Sequence, residues 1–230
     1  MENLDLKKYN LKLLIDFDST FIKSESLEII SDISLEHNQN KNKIISKIKE
    51  LTDLAMNGEL SFSDALSKRI KLIKANKNHI NQSVEKIKKE ISLSFYENMS
   101  FFKKNYENCF VISGGFSDII EPVLFKYNIP KKNIFANDFL FNKKQEIYSI
   151  NKDNPLSKDL GKIKVAQQIE GEKIIIGDGY TDYELKKYGE ASLFIQHIEN
   201  INRKKLNKSA DLISNSLTDS LIFLEDYYGK

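Results

Sequence analysis

The sequence predicts an α/β fold: a doubly wound, Rossmann-like parallel sheet with a helical cap domain inserted after the first strand. Three segments share one order of features, in which an apolar run precedes small and polar residues and then a helix-like pattern: LKLLIDFDST, CFVISGGFSDII and KIIIGDGYTDYEL. Apolar runs of this length are typical of strands that are buried on both faces, as in parallel sheets. Their alternation with helical stretches predicts the doubly wound arrangement.

Further elements complete the predicted core. The runs KNIFAN and ASLFIQ indicate two more strands, and residues 117–127 and 162–169 have helical patterns. The segment DFLFNKKQEIYSI alternates on both sides of Asn142 and Lys143, which predicts a hairpin.

The interval from residue 22 to residue 96 interrupts this alternation. It contains four amphipathic patterns and no convincing strand: SLEIISDIS, KNKIISKIKELTDLAM, FSDALSKRIKLIK and VEKIKKEISL. Ser61 and Asp64 resemble a capping box that opens the third pattern, and Gly58 lies in the turn before it. We therefore expect a cap domain at residues 22–96 and a core domain formed by residues 1–21 and 97–230.

Composition narrows the classes of protein to consider. The chain has 230 residues, of which 40% are hydrophobic, and a net charge of +2. This composition suits a packed core and gives no general attraction to nucleic acid. The first ten residues do not resemble a signal peptide, and no stretch is long and apolar enough to span a bilayer. We expect a cytoplasmic monomer or homodimer that binds neither nucleic acid nor membranes.

Cysteine and histidine offer little for metal binding. Cys109 is the only cysteine in the sequence, which excludes an internal disulfide, and its apolar neighbours predict a buried side chain. His37, His79 and His197 are scattered among polar residues, so we expect all three at the surface.

Carboxylates follow two of the predicted strands. Asp16 and Asp18 come after the first apolar run, and Asp178 and Asp182 come after the third. If strand geometry persists, Asp16 and Asp18 point the same way, toward the crevice where such sheets bind ligands. Gathered carboxylates repel one another unless a cation lies among them, and Mg²⁺ prefers oxygen ligands. The pattern therefore predicts a Mg²⁺ site.

The middle segment, residues 113–115, predicts an anion site. Its SGG sequence lies between a strand and a helix, where backbone N–H groups and the Ser113 hydroxyl can donate to a phosphate. Phosphate beside a metal and an aspartate indicates phosphoryl transfer, with an aspartyl-phosphate as one route. The GDGYTD segment is a poor dinucleotide motif because it ends in Asp182, and the sequence has no P-loop motif.

In this combination the sequence resembles the haloacid dehalogenase superfamily of phosphatases. Its first motif, DxDx[T/V], matches residues 16–20, its second matches Ser113, and its fourth, GDxxxD, matches residues 177–182. The third motif is a lysine, for which Lys162 is favoured and Lys158 is the second choice. Within the superfamily the closest resemblance is to the phosphoserine phosphatases, over residues 11–183 and including the cap.

The resemblance implies a role for each matched residue. Asp16 is the expected nucleophile and Asp18 the expected acid and base, while Ser113 and Lys162 hold the phosphoryl group and Asp182 supports Lys162. The expected Mg²⁺ ligands are Asp16, the Asp18 carbonyl and Asp178. The expected substrate contacts are Glu25, Met56, Phe62, Arg69, Ser113, Gly114 and Thr181. Tyr180 stands where smaller residues are frequent in the family and is expected to alter the pocket wall.

The resemblance implies hydrolysis of O-phospho-L-serine to L-serine, a step of serine biosynthesis. That substrate carries an ammonium, which Glu25 can bind, and a carboxylate, which Arg69 can bind with two donors. One alternative keeps the chemistry and changes the substrate, to another small phosphate ester or to phosphoryl transfer onto an alcohol such as homoserine. A more distant alternative is a phospho-accepting signalling module, for which a long cap has no evident use.

Overall fold

The structure, a computed structural model, describes residues 4–229 and is built on a parallel sheet. The strands are β1 (Leu11–Ile15), β2 (Cys109–Phe116), β3 (Ile134–Asn137), β4 (Phe139–Phe141), β5 (Ile147–Ile150), β6 (Glu172–Gly177), β7 (Leu193–His197) and β8 (Leu212–Ser214). Six of them pair in the order β3-β2-β1-β6-β7-β8, all parallel, and β4 and β5 form the antiparallel hairpin. The predicted doubly wound α/β fold is confirmed.

Helices connect these strands. The α-helices described within residues 4–229 are α1 (Ser26–Ser34), α2 (Lys41–Met56), α3 (Phe62–Leu72), α4 (Lys77–Ile87), α5 (Leu93–Glu97), α6 (Met99–Asn105), α7 (Ser117–Leu124), α8 (Gly161–Ala166), α9 (Tyr180–Lys187) and α10 (Leu217–Tyr228). None of them is long and apolar enough to cross a membrane.

The central strand β1 shows why its sequence is continuously apolar. Leu13 and Ile15 pack into the hydrophobic cluster on one face of the sheet, whereas Leu14 packs into the cluster on the other face. Because successive strand residues point to opposite faces, both faces need apolar side chains when helices cover both. Cys109 at the start of β2 is buried in the first cluster, as predicted.

The insert between β1 and β2 is helical, as its patterns predict, but the bounds of its last helix differ. The sequence pattern over residues 84–93 predicts a helix there, whereas α4 runs over Lys77–Ile87. The cause is local, because Asn76 and His79 form a reciprocal capping box that starts the helix earlier. At the start of α3, Ser61 accepts from the backbone N–H of Asp64, and Gly58 in the preceding turn has a φ of 72°.

The segment that leaves the sheet for the insert lies beside the segment that returns from the insert. Ile22 forms an antiparallel bridge with Ile91, and α4 then packs against α7. One hydrophobic cluster therefore extends from the sheet into the insert. The division into a cap at residues 22–96 and a core stays our interpretation, and its second boundary falls inside α5.

The prediction for His197 is wrong. Its side chain is buried at the end of β7, edge-on to Phe95, with Nε2 3.2 Å from Oε2 of Glu199. The polar residues around it suggested an exposed side chain, but β7 continues to His197 and the side chain is buried. His37 is exposed and His79 is partly buried.

Candidate active site

The three polar segments meet at one edge of the sheet. Asp16 follows β1, Ser113 lies in β2 and Asp178 follows β6, and these strands are neighbours. Their carboxyl ends open into one pocket that the cap also lines. Its lining residues are Asp16, Asp18, Glu25, Leu27, Met56, Phe62, Arg69, Ser113, Gly114, Gly115, Lys162, Asp178 and Thr181. All the predicted site residues are in this set except Asp182, which is fully buried behind Lys162.

Lys162 is the lysine of the pocket. Its Nζ lies 2.9 Å from Oδ2 of Asp16 and 2.6 Å from Oδ1 of Asp182, and all three side chains are buried. Burial opposes its charge, but the two carboxylates outweigh burial and raise the pKa of Lys162. Lys158, the second choice from the sequence, is exposed. Gly161 lets the helix start here, because a Cβ at this position would lie 2.2 Å from the Pro155 carbonyl oxygen.

Three buried carboxylates could hold a metal ion. Oxygens of Asp16, Asp178 and Asp182 all lie within 4.8 Å of one another. Burial, followed by the charge of Asp16, raises the pKa of Asp182 to about 8. Burial also raises the pKa of Asp178, partly offset by an arginine. Carboxylates that are this crowded and this poorly solvated favour a cation among them, so the group fits a metal site.

Asp18 reaches the pocket in a way that the sequence did not predict. Strand geometry ends at Ile15, and residues 17–21 form a turn in which Asp18 is extended (φ −66°, ψ 139°) and Ser19 has a φ of 56°. The Asp18 carboxylate accepts from both the backbone N–H and the hydroxyl of Ser26, at 2.9 Å each. Burial, opposed by those hydrogen bonds, raises its pKa to about 7. A carboxyl group with such a pKa can both give and take a proton near neutrality.

The predicted anion site lies within β2 rather than after it. The strand continues to Phe116 through an irregularity between Ile112 and Phe116, and α7 begins at Ser117. The Gly115 N–H donates to the Ser113 hydroxyl at 2.9 Å. Gly114 allows close approach by the cap, because a Cβ there would lie 2.5 Å from the Phe62 ring.

The cap side of the pocket holds the carboxyl group of Glu25 and the guanidinium of Arg69. Glu25 accepts from the Ser19 hydroxyl at 2.7 Å, and burial, followed by the charges of Asp18 and Asp178, raises its pKa to about 8. Arg69 is buried, and its Nη1 donates to the Thr52 hydroxyl at 3.0 Å. The Thr181 hydroxyl on the pocket wall is buried without a hydrogen-bond partner among the described residues.

Sequence reasoning missed Arg203. Its Nε lies 2.7 Å from Oδ2 of Asp178, and its Nη1 lies 3.2 Å from Oδ1 of Asp53 in the cap. It is the arginine that partly offsets the raised pKa of Asp178. In the sequence it belongs to the basic run NRKK, which gives no signal of a buried side chain.

Tyr180 lies outside the pocket lining. Its ring contacts the turn at Gly58, where a Cβ would lie 2.9 Å from the ring, and its hydroxyl accepts from Lys187 at 3.1 Å. The residue therefore contacts the cap instead of altering the pocket wall.

Comparison with known proteins gives consistent similarities. The chain is 32% identical over 199 residues to the chloroplastic phosphoserine phosphatase of Arabidopsis thaliana, covering 84% of this chain and 65% of that protein. It is 30% identical over 216 residues to the phosphoserine phosphatase of Rattus norvegicus, covering 92% of each. The crystal structure of a phosphoserine phosphohydrolase-like protein from Francisella tularensis superposes with a TM-score of 0.84 at 31% identity, covering 93% of this chain and 99% of that one. No protein-family model matches the chain.

Proposed function

The chain belongs to the phosphoserine phosphatase family of the haloacid dehalogenase phosphatases, and we propose that it hydrolyses O-phospho-L-serine to L-serine and phosphate. The observation that carries the proposal is the content of the pocket. A buried aspartate beside a buried lysine shares it with one acid and one arginine from the cap. Phosphate chemistry and recognition of an amino acid are thus combined in one cavity.

The proposed reaction has two steps at phosphorus. In the first, an Asp16 carboxylate oxygen forms a bond to phosphorus, the bond from phosphorus to the serine oxygen breaks, and Asp18 donates a proton to that oxygen. In the second, a water molecule attacks the aspartyl-phosphate while Asp18 accepts its proton. Phosphate leaves and the Asp16 carboxylate is restored. The pKa of about 7 at Asp18 suits both of its steps.

Positive charge and N–H donors stabilise the transferring phosphoryl group. We assign this role to Lys162, to the Ser113 hydroxyl and to the backbone beside it. Asp182 holds Lys162 through the 2.6 Å ion pair and accepts from the Gly179 N–H at 3.1 Å, which keeps the lysine oriented.

We assign the metal as Mg²⁺ and its ligands as the Asp16 and Asp178 carboxylates and the Asp18 carbonyl. Asp16 and Asp178 belong to the crowded group of buried carboxylates, whose third member, Asp182, holds Lys162 at 2.6 Å. This supports the assignment, since Mg²⁺ takes few carboxylates together with water and phosphate oxygens. When bound, the ion neutralises charge on the phosphate and on the attacking carboxylate.

Substrate recognition is assigned to Glu25 and Arg69, which would bind the ammonium and the carboxylate of phosphoserine. The test compares three phosphate esters in a phosphate-release assay with Mg²⁺. Arg69→Ala should lower kcat/KM for phosphoserine by roughly 30- to 1000-fold, because a charge-assisted contact is lost. It should affect phosphoethanolamine little, because that ester lacks a carboxylate.

The matched variant is Glu25→Gln. It should lower kcat/KM for both esters that carry an ammonium and leave kcat/KM for p-nitrophenyl phosphate unchanged. General damage to the cap would lower kcat/KM for all three esters together. Equal losses across the three esters for both variants would therefore contradict the assignment. A higher kcat/KM for another small ester than for phosphoserine would identify that ester as the preferred substrate. Absence of phosphate release from every ester would favour a signalling role.

A further inference from the structure

Arg69 is a buried cation whose surroundings are unusual. Its side chain lies 6.0 Å from the Phe62 ring, and Nη1 makes its hydrogen bond to the Thr52 hydroxyl. Its Nε is buried and has no hydrogen-bond partner among residues 4–229. Arginine presents donors in a rigid plane, so one hydrogen bond at Nη1 constrains the direction of all the others.

Thr52 is itself held in one orientation. It is 1% exposed in the C-terminal half of α2, and its hydroxyl lies 3.1 Å from the carbonyl oxygen of Ile48, one turn earlier. The single hydroxyl proton is donated to that carbonyl, so the oxygen offers a lone pair to Arg69. In a helix this back-bond also selects one of the two χ1 rotamers that threonine otherwise shares.

We propose that Thr52 is a positioning residue that orients Arg69 and so favours phosphate esters that carry a carboxylate. The inference rests on the proposed function. With one N–H of Nη1 donated to Thr52, the guanidinium plane is held and its remaining N–H groups are left for a ligand. Two parallel donors match a carboxylate.

A neutral partner at this position has a further consequence. A carboxylate at residue 52 would form an ion pair with Arg69 and compete with the substrate carboxylate for the same charge. The hydroxyl orients the guanidinium and leaves its charge for the ligand. The acid next in sequence, Asp53, points elsewhere and pairs with Arg203 at 3.2 Å.

The test uses Thr52→Val, which keeps the branched shape and removes the hydroxyl, and Thr52→Ser, which keeps the hydroxyl. Activity is measured with Mg²⁺ on phosphoserine and phosphoethanolamine. Thr52→Val should lower kcat/KM for phosphoserine by about tenfold, mainly through a higher KM. The same variant should change kcat/KM for phosphoethanolamine by less than about twofold. Thr52→Ser should remain near wild type. If the Val variant does not fold, Thr52→Ala gives the same contrast with Ser.

Arg69→Ala serves as the reference. Adding Thr52→Val to Arg69→Ala should cause no further loss on phosphoserine, because the residue acts through the arginine. Equal losses on both esters, or a Ser variant as impaired as Val, would overturn the positioning role and leave the proposed function intact. If Arg69→Ala itself fails to discriminate between the esters, the substrate assignment and this inference fall together.

Discussion

Replacing Lys162 by methionine removes a buried cation that contacts both Asp16 and Asp182. Methionine has similar length and no charge, so the change leaves two carboxylates buried without their partner. Breaking a buried ion pair in this way typically costs about 3–5 kcal/mol of unfolding free energy. Loss of a preorganised charge at the phosphoryl group should lower kcat by about 100- to 1000-fold as well.

Urea denaturation in EDTA measures the first effect, and phosphate release with Mg²⁺ measures the second. The stability deficit of Lys162→Met should grow as the pH rises. Burial raises the Asp182 pKa to about 8 in wild type, and loss of the cation raises it further in the folded variant. Above about pH 8 the folded variant must therefore hold a proton that wild type has already lost, so its deficit in unfolding free energy increases.

Lys158→Met is the matched control, because Lys158 is exposed and lies four residues earlier. It should change the unfolding free energy by less than about 0.5 kcal/mol and retain activity. Severe loss of turnover in Lys158→Met together with normal turnover in Lys162→Met would refute the assignment of the lysine.

Three further predictions use the same structure. EDTA should abolish phosphate release and Mg²⁺ should restore it, whereas Ca²⁺ should restore it poorly because of its looser coordination; full activity in metal-free protein would contradict the metal assignment. In metal-free protein, Glu25→Gln should become progressively more stable than wild type as the pH rises from about 4.5 to 8. The reason is that the raised pKa of Glu25 makes its ionisation costly in the folded state. A difference in unfolding free energy that does not change with pH would contradict this prediction. Gly58→Ala should raise KM for phosphoserine for two reasons. The added Cβ would lie 2.9 Å from the Tyr180 ring, and a residue with a side chain is strained at a φ of 72°. Gly189→Ala, with a φ of 80° and no atom within 4 Å of its Cβ, shares the strain alone and should leave KM unchanged.

The sheet and the position of its polar segments could be predicted because they follow from local patterns. The apolar runs that become β1, β2 and β6 are continuous since both faces of the sheet are covered. Once these strands are parallel and adjacent, Asp16, Ser113 and Asp178 have to meet at their carboxyl ends. The chemistry of the pocket is thus present in the sequence in outline.

Other features depend on contacts between distant parts of the chain. The sequence around Arg203 indicates an exposed basic segment. The fold of the loop after β7 is what places its side chain beside Asp178 and Asp53. The inward turn of His197 depends on where β7 ends, and the route of Asp18 into the pocket depends on a tight turn after β1. Thr52 has no motif at all, and its role is visible only when α2 and α3 are packed together.

In the proposed reaction, Asp16 receives the phosphoryl group of phosphoserine. The direct measurement is acid quenching of the enzyme during turnover of O-phospho-L-serine with Mg²⁺, followed by mapping of the phosphorylated residue by mass spectrometry. We expect a hydroxylamine-sensitive phosphate on Asp16 that is absent from Asp16→Asn, a variant that should fold normally and release essentially no phosphate. Phosphate on another residue, or substantial phosphate release by Asp16→Asn, would exclude Asp16 as the nucleophile.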